Sequence, residues 1–209
     1  MTPIKILGLA LLAAFALTAV LASAASAQFT SNKEHTILSG SLKTGATDVF
    51  SAGEGFGAIS CEKASWSGTL TTKSEASVVL TPTYENCKDS FGRTVHTHTT
   101  EASTWTTSLF WGLYHRSGTK TVTITSSEKT ICTVVFQMPQ TNNGASRTNL
   151  GGTSGIEVTT HSTNLITTTS GGFFNCGISN GEHKAGTYDS TFILTGKDTS
   201  GAAAEINAD

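Results

Sequence analysis

One segment of the sequence has the spacing of a hydrolytic nucleophile. Residues 177–181 read Gly-Ile-Ser-Asn-Gly and match the pattern G-x-S-x-G, in which a sharp turn between a strand and a helix exposes the serine, here Ser179. His183 and Asp189 lie close by in sequence, but proximity in sequence is not evidence of a catalytic triad. A strand-like segment, 173–175, precedes the motif, but no helical pattern follows it. The competing interpretation is therefore a glycine-rich turn beside a cysteine.

A second candidate is a pair of histidines, His96 and His98, in a segment that alternates with threonine. Side chains two residues apart share one face of a strand, so both imidazoles could bind one metal ion if a third ligand came from elsewhere in the fold. The sequence identifies no third ligand, and Thr94 and Thr100 on the same face are typical of a solvated surface. We therefore predict no metal and no cofactor, with this pair as a weak candidate.

The sequence also concentrates aromatic residues between positions 105 and 114. Trp105, Phe110, Trp111 and Tyr114 lie within ten residues, and clustered aromatic side chains outside the cell often stack on sugar rings or on a protein partner. The alternative is that these rings fill one end of the hydrophobic core. Trp105, Trp111 and Tyr114 are the best candidates for a binding site, and a polysaccharide or another cell-surface component is the partner that they would bind.

Four cysteines, Cys61, Cys87, Cys132 and Cys176, are predicted to form two disulfide bonds. An even number of cysteines is typical of a chain that folds in an oxidising compartment. Three pairings are open, and we favour 61–87 with 132–176, in which each bond closes a long loop and stabilises the fold by about 2–4 kcal/mol. A zinc site is the alternative, but zinc ligands usually include closely spaced pairs, and the shortest spacing here, from Cys61 to Cys87, is 26 positions.

Hydrophobic periodicity indicates that these residues are positioned by strands. From Ala64 to Thr71, apolar or small residues alternate with Ser and Thr, and residues 121–125 alternate in the same way; a period of two is the signature of a half-buried strand. Denser apolar runs at 78–80 and 131–136 are typical of central strands. The other predicted strands are 35–38, 48–50, 57–61, 93–99, 103–110, 156–161, 164–168 and 188–195. The predicted class is all-β, as a single antiparallel β-sandwich or barrel-like domain.

The first 27 residues have the features of a secretory signal peptide. Lys5 precedes an uncharged apolar run, and the small residues at 25–27 (Ala-Ser-Ala) form a cleavage site. An uncleaved membrane anchor is the alternative, because residues 6–27 are long enough to span a bilayer. We predict a signal peptide at 1–27, an all-β domain at 28–197 with a long polar loop at 141–155, and a flexible C-terminal tail at 198–209.

Composition narrows the range of functions. The 209 residues include 37 Thr and 24 Ser but only 13% charged residues, and the formal net charge is −2. Because no basic cluster is present, the chain is not expected to bind nucleic acid. After removal of the signal peptide it is not expected to bind a membrane either.

Three segments resemble one group of proteins. They are residues 55–61 (GFGAISC), residues 84–92, which include Cys87, and residues 175–181, which include Cys176. These stretches resemble secreted, threonine-rich, cysteine-containing β proteins of soil actinobacteria. The resemblance implies the same class of fold and a secreted location. It implies no mechanism, because no activity is assigned to that group.

The sequence therefore predicts a secreted, non-enzymatic protein of the extracellular space or cell envelope with a structural, adhesive or binding role. The observation behind this prediction is a Thr- and Ser-rich strand surface without a complete catalytic set. Two alternatives stay open: a carbohydrate-binding module with an aromatic platform at Trp105, Trp111 and Tyr114, and a serine hydrolase at Ser179. The first requires exposed rings, and the second requires His and Asp side chains within hydrogen-bond reach of the serine hydroxyl.

Overall fold

The chain forms an all-β domain, as predicted. The computed structural model describes residues 28–99, 103–106, 112–116, 120–126, 129–136 and 140–208, with side chains at 28–97, 130–136 and 145–208. These residues contain sixteen strands, one 3-10 turn at Gly152–Ser154 and one helical turn, α1, at Phe173–Cys176. The strands are β1 (Phe29–Ser31), β2 (Thr36–Leu42), β3 (Asp48–Ser51), β4 (Ile59–Leu70), β5 (Ser74–Glu75), β6 (Ser77–Asp89), β7 (Thr94–Thr99), β8 (Ser103–Thr106), β9 (Gly112–Arg116), β10 (Lys120–Ser126), β11 (Lys129–Phe136), β12 (Gln140–Asn149), β13 (Ile156–Ser170), β14 (Gly181–Lys197), β15 (Ala203–Ala204) and β16 (Ile206–Ala208).

Eight of these strands pair edge to edge in a closed antiparallel ring. The order is β3, β4, β6, β7, β10, β11, β13 and β14, and β14 pairs again with β3. β2 continues the line of β3 and pairs with the same two neighbours, β4 and β14. Closure pairs each of these strands on both sides over part of its length, which limits the exposed edges that promote aggregation. The ring is the barrel-like form of the predicted architecture.

A band of irregular backbone, which we call the waist, divides the ring into two halves. In β4 the buried side chains switch from odd to even positions after Glu62, because two consecutive residues are exposed there, and β6 makes the reverse switch after Glu85. β13 switches at Asn164, and between β2 and β3 the chain loops outward at 43–47. Asn86 and Asn164 have φ values of 53° and 58°, a left-handed conformation that asparagine tolerates better than most residues.

The two halves have different interiors. The cap half contains β2, and in it the rings of Trp66 and Phe192 stack with centroids 4.1 Å apart. The loop half contains β3 and centres on Phe50, whose ring stacks on that of Tyr188 at 5.1 Å. The Tyr188 hydroxyl donates a hydrogen bond of 2.9 Å to Asp48, a fully buried carboxylate near the waist. Strands β4, β6, β13 and β14 run through both halves and join them.

A second, three-stranded sheet of β16, β1 and β5 packs at the end of the cap half. It buries Phe29 and Ile206 in the same core as the ring. The prediction of a flexible tail at 198–209 is therefore wrong for residues 198–208. The carboxylate of Asp198 accepts the backbone N–H of Ala202 at 3.0 Å and closes a turn, after which β15 and β16 pair with β14 and β1.

Two further local predictions are wrong. The polar segment 141–155 was expected to be a loop, but it forms β12 as far as Asn149 and pairs with β13 and β9. Its polar side chains do not prevent this, because the pairing is made by backbone groups. Residues 173–175 are strand-like in sequence but belong to α1, a single helical turn that Gly172 precedes and Gly177 follows.

Two disulfide bonds have the predicted connectivity, and both lie in the loop half. Cys61 in β4 is bonded to Cys87, directly opposite in β6, and Cys132 in β11 is bonded to Cys176 at the end of α1. Disulfides are typical of proteins that fold in an oxidising, extracellular-type environment. In the part of the chain that the structure describes, no helix is long and apolar enough to cross a membrane.

Candidate functional site

The loop half ends in a group of connections, which we call the loop end. Antiparallel pairing brings three of them to the same end of the ring: the β3–β4 connection at 52–58, the β6–β7 connection at 90–93 and the β13–β14 connection at 171–180. Connections of this kind lie on the surface, and binding residues are often found on them when a rigid scaffold positions them. The ring and the two disulfides provide that scaffold.

The β13–β14 connection presents two phenylalanine rings to solvent. Its helical turn α1 directs Cys176 inward, where the disulfide fixes it to Cys132 of β11. Phe173 and Phe174 point outward, with 65% and 99% of their surface exposed, and their rings meet edge to face with centroids 6.2 Å apart. Neither ring gains the burial that normally stabilises phenylalanine in a fold. Exposed apolar surface of this kind marks interaction sites.

A third exposed phenylalanine lies at the tip of the β6–β7 connection. Phe91 is 75% exposed, and the guanidinium carbon of Arg93 lies 5.1 Å from the centre of its ring. The Asp89 carboxylate accepts the Nε–H of Arg93 at 2.5 Å and the backbone N–H of Phe91 at 3.0 Å. This hydrogen-bonded turn fixes the position of the ring without burying it.

Close backbone packing makes the loop end rigid. A Cβ atom placed on Gly177 would lie 2.5 Å from the carbonyl oxygen of Gly55, so the β3–β4 and β13–β14 connections touch backbone to backbone and require glycine at this contact. The side-chain oxygen of Asn180 accepts the backbone N–H of Gly172 at 2.7 Å and ties the start of α1 to the end of the same connection. Side chains held in place in this way lose little entropy when a partner covers them.

Two ion pairs lie at or beside the loop end, and Glu54 adds an exposed carboxylate on the β3–β4 connection. Arg93 is paired with Asp89, and Lys184 lies 3.6 Å from Glu182 at the start of β14. These two ion pairs place no net charge beside the phenylalanine rings. Burial of apolar surface is therefore the main attraction that this surface offers to a partner.

Among the residues that the structure describes, His183 and Asp189 do not form a catalytic triad with Ser179. The Nε2 atom of His183 lies 2.9 Å from the backbone carbonyl oxygen of Ser179 and 3.0 Å from the Thr169 hydroxyl, so the imidazole is directed at the backbone rather than at the serine hydroxyl. Asp189 lies six residues further along β14, about 20 Å away at the rise of a strand. Its carboxylate pairs with His161 on β13 instead. In the described residues the only α-helical turn, α1, comes before the G-x-S-x-G motif. A serine hydrolase needs a helix directly after this motif.

His96 and His98 lie on β7, in the predicted strand. Their register partners on β10 are Thr123 and Thr121. His96 is exposed on the outer face, and the side chain of His98 lies outside the described residues. Among the residues whose placement is described, no three His, Cys, Asp or Glu side chains form a group that could hold a metal ion.

The predicted aromatic platform lies largely outside the described residues. Trp111 is one of the residues that are not described, and Trp105 and Tyr114 are described by their backbones alone, in β8 and β9. Trp105 is opposite Val78 of β6 in the register, and Tyr114 is opposite Asn142 of β12. β8 and β9 lie side by side. The exposure of the platform rings stays a prediction.

The exposure of Phe91, Phe173 and Phe174 is not among the predictions from the sequence. The signal that could have identified them is the position of two adjacent phenylalanines between Gly171-Gly172 and Cys176. A segment bounded by glycines is expected at the surface, where phenylalanine is unusual, and a disulfide-bonded cysteine beside it would anchor the turn.

Comparison with known proteins assigns neither a family nor a function. The sequence matches no protein-family model, and no significant match was found among curated proteins or solved structures. The resemblance to secreted proteins of soil actinobacteria stays a prediction. The functional proposal therefore depends on the geometry of the molecule.

Proposed function

We propose that the protein acts outside the cytoplasm as a non-enzymatic, adhesive or binding protein of the cell surface, and that the loop end is its binding surface. The observation that carries this proposal is that α1 is fixed by a disulfide and yet leaves Phe173 and Phe174 exposed. Phe91 adds a third exposed ring at the same end. Aromatic residues are enriched at the centres of protein interfaces.

The partner that fits this surface best is a protein with an apolar pocket. The rings of Phe173 and Phe174 meet at 82°, so they form no flat platform on which a sugar could stack against both. A bilayer surface would attract a cluster of lysines and arginines, whereas the ion pairs beside the loop end are neutral overall. Burial of each phenylalanine side chain in such a pocket contributes about 1.5–3 kcal/mol.

The test is retention of the exported, oxidised protein on an insoluble cell-envelope fraction. We expect the wild type to be retained and the variant Phe173→Ser/Phe174→Ser to bind at least about a hundred-fold more weakly, because it loses the apolar burial of both rings. Treatment of the fraction with protease should abolish retention of the wild type.

A matched control variant is Ile37→Ser/Val79→Ser, which removes two exposed apolar side chains of the cap half. It should be retained like the wild type, and circular dichroism should show that both variants are folded. Equal retention of the wild type and the Phe173/Phe174 variant would refute the proposal, as would absence of wild-type retention. Retention that survives protease treatment would exclude a protein partner.

The second candidate is a carbohydrate-binding module with its platform at Trp105, Trp111 and Tyr114. The observation that favours it is the contact between β8 and β9, which brings the backbones of Trp105 and Tyr114 onto neighbouring strands. This candidate predicts retention on insoluble polysaccharide and loss of retention in a folded Trp105→Ala/Trp111→Ala variant. Unchanged retention in that variant would remove the candidate.

A further inference from the structure

The waist forms a groove on the outer surface of the ring, separate from the loop end. At this level β4 turns Glu62 and Lys63 outward together, and β6 does the same with Glu85 and Asn86. Two adjoining cavities, of 340 and 510 Å³, both have Glu62 and Glu85 in their walls. The two cavities are therefore neighbours on the outer surface, and we call them together the waist groove. Each part has the size of an ordinary small-molecule site, about 300–1,000 Å³.

The walls of the waist groove carry hydrogen-bonding groups of complementary kinds. The carboxylates of Glu62 and Glu85 accept hydrogen bonds, and the carboxamide of Asn86 both donates and accepts them. His96 adds a ring nitrogen on the side formed by β7. Asn86 has a left-handed backbone conformation and an exposed side chain, and it lines the larger of the two cavities. A ligand with several hydroxyl groups would find both donors and acceptors here.

The floor of the waist groove is apolar. Tyr84 and Val95 line one part and Ala64 lines the other, and all three are otherwise buried in the core. Lys63 and Lys88 also line the groove, so its two lysines balance the charge of its two glutamates. A groove with balanced charges does not select strongly for a multivalent cation or for a phosphorylated ligand.

We propose that the waist groove binds a neutral oligosaccharide. A sugar ring has hydroxyl groups around its edge and C–H groups on its faces, which match the polar walls and the apolar floor. The ligand should contain at least two sugar units, because the groove consists of two neighbouring cavities that share Glu62 and Glu85. This site uses none of Phe91, Phe173 and Phe174, and it does not involve the platform at Trp105. It is therefore independent of the functions proposed above.

The test is a titration of the ¹⁵N-labelled, oxidised protein with cellotetraose, chitotetraose and maltotetraose, followed by the amide signals of the waist. We expect at least one of these sugars to shift the signals of Glu62, Asn86 and Lys88 in a saturable way. In the variant Glu62→Gln/Glu85→Gln we expect affinity to fall by about ten-fold or more, because hydrogen bonds to carboxylates are stronger than those to amides. Glu34→Gln, which changes an exposed carboxylate outside the groove, should bind like the wild type.

Absence of saturable shifts with all three sugars would overturn this proposal, and so would unchanged affinity in the Glu62/Glu85 variant. If calcium chloride shifted the same amide signals and the sugars did not, the groove would be a cation site instead. The variant Phe173→Ser/Phe174→Ser separates the two proposals, since it should lose retention on the cell-envelope fraction and keep the sugar titration.

Discussion

The cap half and the loop half share four strands but are stabilised by different means. The cap half buries large apolar side chains, among them Leu38, Trp66, Leu80, Phe192 and Leu194, and the small sheet with Phe29 and Ile206 closes its end. The loop half contains both disulfides and an aromatic cluster in which the ring of Phe50 contacts those of Tyr84, Phe136 and Tyr188. Its interior also holds buried polar groups, such as Asp48 and Thr167.

The difference follows from what each end of the ring can bury. The connections of the loop half are rich in glycine and contribute few apolar side chains to the core, so covalent bonds replace packing in holding them. The Thr167 hydroxyl donates to the carbonyl of Ala52 at 2.9 Å and helps to attach the β3–β4 connection. A surface anchored by disulfides and hydrogen bonds can leave Phe173 and Phe174 exposed, whereas the cap half cannot lose its aromatic residues without losing its core.

The largest effect is expected from Trp66→Ala in the cap half. Its ring stacks on Phe192 and meets the edge of Tyr84 at 6.3 Å, so truncation leaves a cavity that the surrounding strands cannot fill. We expect the free energy of unfolding to fall by about 3–5 kcal/mol, measured by urea unfolding. The transition should stay single, because β4, β6, β13 and β14 run through both halves.

Val79→Ala, at a side chain of the same half that is 47% exposed, should change the free energy of unfolding by less than about 0.5 kcal/mol. Hydrogen exchange adds a second readout on the Trp66→Ala variant. If amides of the cap half lost protection while those of the loop half kept it, the two halves would be separate folding units rather than one.

A smaller effect is expected from removal of a disulfide, and its location should differ between the two bonds. Cys132→Ala/Cys176→Ala opens a loop with a sequence separation of 44 and should lower the free energy of unfolding by about 2–4 kcal/mol. Exchange of the backbone N–H of Gly177, which donates to Phe173, should accelerate because α1 loses its anchor.

The matched variant Cys61→Ala/Cys87→Ala should be destabilised by a similar amount, since its loop has a sequence separation of 26. Its local effect should be small, because β4 and β6 stay paired on both sides of the bond. If α1 kept its protection without the 132–176 disulfide, the anchoring role that we assign to this bond would be incorrect.

Local patterns in the sequence predict much of this fold because they reflect burial directly. The alternation around Trp66 and the pairing of cysteines along the chain are both confirmed. The same patterns predict two strands, at 156–161 and 164–168, where the structure has the single strand β13. The reason is that the buried side chains change from even to odd positions here, and such a change usually marks the end of a strand. At the waist the register between β13 and β14 shifts instead, and the strand continues through Asn164.

Closure of the ring and the character of the loop end could not be predicted in this way. Closure depends on pairing between β14 and β3, whose residues are far apart in sequence. No local pattern in either strand indicates that the two pair. The exposure of Phe173 and Phe174 depends on the helical turn α1, whereas the sequence pattern at 173–175 is typical of a strand. The order of residues 198–208 could not be predicted either. It depends on burial of Ile206 in a part of the core that forms only when the cap half is assembled.

The smallest effect should come from Glu75, which tests whether the cap half also uses polar anchoring. Burial by itself would raise the pKa of the Glu75 carboxyl, but hydrogen bonds from the Thr71 hydroxyl and from the backbone N–H groups of Thr72 and Thr71 outweigh it and hold the pKa below its ordinary value of 4.5. A carboxyl whose pKa is lower in the folded state stabilises the fold above its unfolded pKa, and this stabilisation is lost as the pH falls through the folded pKa.

Glu75→Gln should therefore lower the free energy of unfolding at pH 7 by less than about 1 kcal/mol, because the site is partly exposed and solvent screens the carboxylate. Below the ordinary value of 4.5 the difference from the wild type should shrink, since the protonated glutamic acid resembles glutamine. Urea unfolding of both proteins across this range measures the convergence, and Glu34→Gln, at an exposed residue, corrects for the change in net charge. A difference that stayed constant with pH would mean that the stabilisation from the Thr71 and Thr72 hydrogen bonds does not depend on the charge of Glu75, contrary to this prediction.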